Sequence, residues 1–174
     1  MIVQDTLYRR LEQLGIQITA PAPYPIHRSV EEGKLLRGDM AGTFTKNLLL
    51  KDKKGRLFMV VAHEDRPIDL KTLHQRIGAS GRVGFAAADQ MTGLLGVQPG
   101  ALTPFAVMND HDGLVAVVLD ADLSSAEQLN FHPMVQTLSV GISGKDLVRY
   151  IASCGRPPHI VDLAGAAIPS ETGE

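Results

Sequence analysis

The sequence predicts an α+β domain: a mixed, largely antiparallel β-sheet with flanking helices. Three observations predict it. Apolar runs face each other across short turns, as 44–50 and 57–62 do around Lys53-Lys54-Gly55. Stretches with helical spacing of apolar residues are scattered among those runs, without the regular strand-helix alternation of a parallel α/β fold. The 174 residues, 44% of them hydrophobic, suffice for one sizeable core, and no repeat or linker divides them. Residues 1–163 therefore read as a single domain, and 164–174, which carry no core pattern, as a mobile tail.

Taken in order, Leu7, Leu11 and Leu14 share one face of a helix that starts near Asp5 or Thr6 and is stopped by Gly15. Ile16 and Ile18 alternate with polar residues, after which Pro21, Pro23 and Pro25 force an irregular connection. Ser29 and Glu32 have the spacing of a capping box, so a short helix spans 30–37 and ends at Gly38. The strand over 44–50 and its hairpin partner follow. Asp69 caps a helix carrying Leu70, Leu73 and Ile77, with Gly78 as its stop. A short strand is expected near 83–86, and Asp89 caps a further helix ended by Gly96. The loop 97–104 leads into an expected strand over 105–108, which the turn formers at 109–113 join to a strand over 114–119 as a second hairpin. Short strands over 129–133 and 137–142 precede a last helix, started by Ser143 with Asp146. Leu147, Ile151 and Cys154 share a face of that helix, so Cys154 reads as core packing.

Lysine and arginine number 17 against 19 acidic residues, a formal charge of −2, which excludes a broad, sequence-blind grip on nucleic acid and with it DNA as a partner. A local grip survives. Lys46, Lys51, Lys53, Lys54 and Arg56 lie in one hairpin-sized segment with Asp52 as its only acid, which is either a solvated turn or a phosphate-facing patch. The single cysteine excludes an internal disulfide and fits a reducing cytoplasm. No apolar stretch is long enough to span a bilayer and no signal-peptide pattern opens the chain, so a cytoplasmic protein without a membrane partner is expected.

Several familiar chemistries find no foothold. The six histidines have no metal-ligand spacing, one cysteine builds no thiolate site, and nucleophile-elbow, phosphate-loop and dinucleotide motifs are missing. No metal or cofactor is called for. What stands out is Lys46-Asn47 at the start of an apolar strand: alternation sends the two side chains to opposite faces, so either both are solvated at a strand entrance or one is placed at a rim for a task. In 100–104, Gly100 lets the main chain approach a ligand and Pro104 stiffens the loop. Its amides could bind an oxyanion, or the loop could be a tight connection only. His132, between Phe131 and Pro133, is a hydrogen-bonded core residue or a catalyst.

Three stretches in order, Thr45-Lys46-Asn47-Leu48-Leu49-Leu50-Lys51-Asp52, then Gly100-Ala101-Leu102-Thr103-Pro104-Phe105 with Asn109-Asp110 behind it, then Phe131-His132-Pro133, resemble the YbaK-like aminoacyl-tRNA editing domains. Within that family they are most similar to the free-standing prolyl-tRNA editing proteins of the ProX type, over Leu7 to about Leu163. The resemblance implies a mixed sheet with flanking helices, a pocket for the aminoacylated end of a tRNA, and ester hydrolysis without a serine or cysteine nucleophile. It implies that Lys46, Gly100 and His132 carry catalysis, with Asn47, Thr45, Ala101, Leu102, Thr103, Pro104 and Phe105 around the substrate. Lys51, Lys53, Lys54 and Arg56 supply the expected tRNA patch. The implied reaction is metal-free deacylation of mischarged tRNA, alanyl-tRNA(Pro) first, with backbone amides stabilising the oxyanion. The implied partners are the acceptor end of tRNA(Pro) and prolyl-tRNA synthetase. Gln136, Tyr24 and Ala106 depart from the family's usual asparagine, histidine and glycine, and bear on amino-acid preference more than on reaction class. Two other readings stay open: a non-catalytic module that holds tRNA or a synthetase, and an oligomeric domain binding a small amino-acid ester or thioester.

Overall fold

The computed structural model describes residues 3–164. Eight strands, β1 (Ala22–Pro23), β2 (Thr43–Lys51), β3 (Leu57–His63), β4 (Gly84–Phe85), β5 (Val115–Asp120), β6 (Leu129–Phe131), β7 (Leu138–Ile142) and β8 (His159–Val161), form one sheet. Its order is β1-β7-β6-β2-β3-β5-β8, with β4 added beside β2. The pairs β1–β7, β2–β3, β2–β4 and β6–β7 run antiparallel, and β2–β6, β3–β5 and β5–β8 run parallel. The mixed sheet and flanking helices are those expected.

Both faces of the centre are covered, which is why β3 is an unbroken apolar run rather than an alternating one. Leu49, Met59, Val61, Val117 and Leu119 join the larger core, to which Leu7 and Leu11 of α1 (Val3–Gln13) and Leu147 and Ile151 of α5 (Gly144–Ser153) contribute. Leu50, Phe58, Val60 and Val118 face the smaller one, beneath Leu73 of α3 (Leu73–Ile77). Half of the expected capping box of α2 (Val30–Arg37) forms: Ser29 Oγ accepts from the Glu32 amide at 3.1 Å, while the Glu32 carboxylate accepts at 2.8 Å from the amide of Arg28, one residue before the cap, rather than from that of Ser29. In α5, Ser143 Oγ accepts from the Asp146 amide as expected, and Gly144 admits only hydrogen because a Cβ there would lie 2.1 Å from the Leu123 carbonyl. Cys154 packs half-buried against the larger core.

Four local expectations change. Residues 105–108 are not a strand but part of a 3₁₀ helix, Pro104–Asn109. Thr103 is extended and its Oγ1 accepts from the Phe105 amide at 3.3 Å, while Pro104 supplies the fixed φ of a first helical residue, so helix-start chemistry outweighs the apolar run. The second hairpin is therefore absent. Asp110 instead accepts from the amides of Leu114 and Val115 at 2.9 and 2.8 Å and launches β5 parallel to β3. The helix begun at Asp69 is a turn until Leu73, because Asp69 spends its carboxylate on the Lys71 amide and its carbonyl on that of Leu73. The proline segment contributes the two-residue β1 at the sheet's edge, where a missing N–H costs least. β8, only three residues behind two prolines, gave no periodic signal. The expected mobile tail lies, from residue 165 on, outside the described residues. The helix α4 (Ala88–Leu95) follows β4 and ends at Gly96 as anticipated.

The β2–β3 turn is organised by Asp52. Its fully buried carboxylate accepts from the Lys54, Arg56 and Ser80 amides, each at 2.9 Å, and from Arg56 Nε at 3.0 Å. Burial alone would raise this carboxyl, but the hydrogen bonds hold it down at about 2. Against an ordinary value of 3.8, the stability it confers is complete above about pH 4 and is lost as pH falls through about 2. Asp52→Asn should thus unfold at lower urea than the parent at pH 7, with the gap closing between about pH 4 and pH 2. A gap that does not move with pH would show that shape, not charge, holds the turn.

Candidate active site

β2 is paired along its length with β3, but its other edge is paired only at the two ends: Thr43 and Phe44 with β6, Leu50 and Lys51 with β4. Thr43 N–H donates to the Gln128 carbonyl and the Leu49 carbonyl accepts from the Ala86 amide, both at 2.9 Å. Odd-numbered residues therefore turn their main-chain groups to this edge, and those of Thr45 and Asn47 face a break between the flanking strands. A cleft of about 370 Å³ opens there, walled by Lys46, Asn47, Gly100, Leu102, His132 and Gln136.

Lys46 lies on the face of Leu48 and Leu50, Asn47 on that of Leu49, and because the cleft straddles the sheet edge both reach it. Among the described residues, Lys46 makes no hydrogen bond or ion pair. Burial pushes its ammonium below the ordinary lysine range, with Asp65 opposing and Arg66 assisting. Asp65 cannot neutralise it fully, since Lys34 holds that carboxylate at 2.6 Å. Asn47 Nδ2 donates to the Leu102 carbonyl at 3.0 Å and so ties the 97–104 loop to β2, while its buried Oδ1 has no partner among the described residues. Thr45 Oγ1 donates to the Asn130 carbonyl at 3.3 Å.

In the loop, only part of the expected set meets the cleft. Gly100, at φ +93°, and Leu102 line it, and among the described residues their amides have no partner. Ala101, Thr103, Pro104 and Phe105 are buried behind it. The Phe105 ring meets Phe131 and Tyr150 edge-to-face at 5.8 and 5.5 Å, and its carbonyl accepts from Tyr150 Oη at 2.7 Å. These four do not line the cleft and anchor the loop in the core. Ala106, one of the departures, is fully buried in the same anchor.

His132 Nδ1 lies 2.8 Å from the Leu138 carbonyl. A carbonyl only accepts, so Nδ1 carries the proton and Nε2 of the neutral ring is an acceptor. Burial pushes the imidazole's pKa down, against the Leu138 hydrogen bond, which keeps it neutral near pH 7. The Tyr24 ring stands edge-on to His132 and to His27, 5.2 Å from each. His27, hydrogen-bonded at Nδ1 to the Pro25 carbonyl at 3.1 Å, is a cleft residue that sequence reasoning missed, because it follows prolines that read as a mere connection. Beneath lies a chamber of about 70 Å³ bounded by Tyr24, Phe44, Asn130, His132 and Ser139. Arg37, stacked 3.7 Å over the Phe44 ring and paired with both Glu64 oxygens at 2.7 and 2.6 Å, forms its side.

The basic segment is smaller than its composition. Arg56 is committed to Asp52 and to the Gly78 carbonyl, and Lys46 lies five residues, about 17 Å along the strand, from Lys51. Exposed Lys51, Lys53 and Lys54 remain as the patch. If RNA phosphates are held there, replacing the three with glutamine should reduce the fall of affinity with salt by up to three phosphates' worth, about 0.7 per charge on a log-log plot for single strands. An unchanged slope would move the contact elsewhere. Among the described residues no group of His, Cys, Asp or Glu is placed to hold a metal ion, and no helix is long and apolar enough to cross a membrane.

Comparison with known proteins shows the class of domain to which this mixed sheet and its edge cleft belong. Residues 25–150 match the family model "Aminoacyl-tRNA editing domain", and the chain belongs to that family, among its YbaK- and ProX-like members. It is related to the free-standing editors: it is 32% identical over 164 residues to "Prolyl-tRNA editing protein ProX" of Acetoanaerobium sticklandii, covering 94% of this chain and 99% of that protein. It is also 34% identical over 155 residues to "Prolyl-tRNA synthetase associated domain-containing protein 1" of Danio rerio, covering 88% and 83%. The crystal structure of hypothetical protein APE2540 shares the fold, with a TM-score of 0.67 at 20% identity over 89% of this chain and 97% of that one.

Proposed function

We propose that the protein is a trans-editing deacylase that hydrolyses mischarged tRNA, alanyl-tRNA(Pro) first, in the cleft beside β2 and in the cytoplasm. The observation that carries this reading is the half-buried Lys46 ammonium, without an ion pair among the described residues, in the same cleft that is walled by Gly100 and Leu102, whose amides have no partner among the described residues. The substrate ester would set its carbonyl against those amides, with Lys46 holding the adjacent negative charge of phosphate or oxyanion. Water, oriented by the cleft or by the neighbouring ribose hydroxyl, then adds to the carbonyl carbon and gives up a proton, and collapse of the tetrahedral species breaks the ester C–O bond, releases the free amino acid and returns a proton to the departing ribose oxygen. An aminoacyl ester is already activated, so orientation and charge stabilisation can supply the rate without a covalent intermediate or a metal. A chamber of about 70 Å³ suits a small side chain and rejects larger ones by clash, which is how correctly charged tRNA would be spared. Prolyl-tRNA synthetase is the expected supplier of the substrate.

Deacylation of a panel of mischarged tRNAs, including alanyl- and cysteinyl-tRNA(Pro), with and without chelator, tests this. Release of alanine from tRNA(Pro), unaffected by EDTA and with prolyl-tRNA(Pro) spared, is expected. Binding of the panel without turnover would instead make the domain a non-catalytic module.

A further inference from the structure

Phe85 is unlike the protein's other phenylalanines. Phe44, Phe58, Phe105 and Phe131 are all buried, whereas Phe85 is 67% exposed, and among the described residues its ring meets no other ring. Its backbone is nonetheless held: it pairs with Leu50 in β4, Val83 before it is buried in the smaller core, and the Ala86 amide after it bonds the Leu49 carbonyl. Gly84 has open space where a Cβ would be, and Ala86 and Ala87 are small, so the neighbours leave the ring uncovered. The ring stands on the rim of the cleft that holds Lys46. Paired residues of a sheet share a face, so Phe85 lies on the face of Leu50, Leu48 and Lys46, about 13 Å from Lys46 along the strand. Two exposed cations are near in register, Lys51, which pairs with Gly84 and so points to the opposite face, and Arg82, three residues before the ring.

A fixed, uncovered aromatic ring at the rim of a cation-bearing cleft is how an unstacked nucleobase is held on a single-stranded nucleic acid. We propose that Phe85 is the stacking platform for an unpaired base at the 3′ end of the substrate RNA, setting how far the strand runs before its terminal ester reaches Lys46. This rests on the editing reading for the identity of the RNA but not for its test. A separation of about 13 Å suits an aminoacylated nucleotide lying along the edge of β2.

The chain contains no tryptophan, so Phe85→Trp installs a single indole at the platform. Titration with a short, uncharged single-stranded RNA ending in CCA should quench its emission, and the same strand with abasic sites should not. Phe85→Ala should weaken binding of that RNA about tenfold or more, Phe85→Leu should weaken it nearly as much, and Phe85→Trp should retain it, with thermal unfolding unchanged in all three. Retained affinity in Phe85→Leu would mean simple apolar contact, and quenching by the abasic strand would mean a phosphate grip. Either result, or unchanged affinity in Phe85→Ala, overturns the proposal. Base-dependent quenching by a protein that deacylates nothing would sink the editing reading and leave the platform standing.

Discussion

Lys46→Ala is expected to lower the single-turnover rate constant for deacylation of alanyl-tRNA(Pro) by a factor on the order of a hundred or more, the loss that follows removal of one electrostatic contact to a reacting centre. Its thermal unfolding should stay where it is or rise. The ammonium is half-buried, has no ion-pair partner among the described residues and is pushed by that burial toward its neutral form, so at pH 7 its charge costs folding energy that alanine does not. Opposite movements of activity and stability are the signature of a charge kept for a ligand. Lys46→Arg sharpens the test, since guanidinium keeps the charge but changes its size, hydration and donor geometry, and should restore little. Wild-type turnover in Lys46→Ala would make Lys46 a solvated strand residue and remove the observation on which the proposed function stands.

How much of this was legible follows from which forces were local. The hairpin, α2 and the start of α5 were readable because each is specified within a few residues: Lys53-Lys54-Gly55 at the turn, Ser29 with Glu32, Ser143 with Asp146. The opposite facing of Lys46 and Asn47 followed from strand alternation alone. What alternation could not supply was the break in β2's outer edge, which depends on β6 and β4 pairing with its two ends from residues tens of positions away. The 105–108 stretch reads as a strand in the sequence because its apolar content is shared by a strand and a buried 3₁₀ turn. The Thr103-Pro104 pair is the signal that separates them. Phe105 entered the expected substrate set through the family resemblance, and its ring packs against Phe131 and Tyr150. His27 and Phe85 escaped notice because neither lies in a stretch with its own chemical pattern, and only the sheet edge brings them to the cleft.

Gly100→Val should abolish most deacylation, by a factor on the order of a hundred, in a protein that still folds. At φ +93° a side chain is strained, which costs roughly 1–3 kcal/mol of stability, and the new Cβ would lie 2.6 Å from Gln136 Oε1. That oxygen is the far end of a flexible side chain, so Gln136 can swing aside and the loop anchors, Thr103, Pro104 and Phe105, stay seated in the core. The fold therefore survives while the valine crowds the cleft wall where Gly100 and Gln136 meet. Two causes of the loss can be separated. In Gly100→Ala with Gln136→Ala the clash is gone but the backbone strain remains. Recovery of activity in that double variant would place the damage in crowding by Gln136, whereas continued loss would place it in the amide geometry that the positive φ maintains. Deacylation rates read beside urea unfolding decide between a chemical and a structural role, and a folded Gly100→Val protein with the parent's rate would reduce the 97–104 loop to a connection.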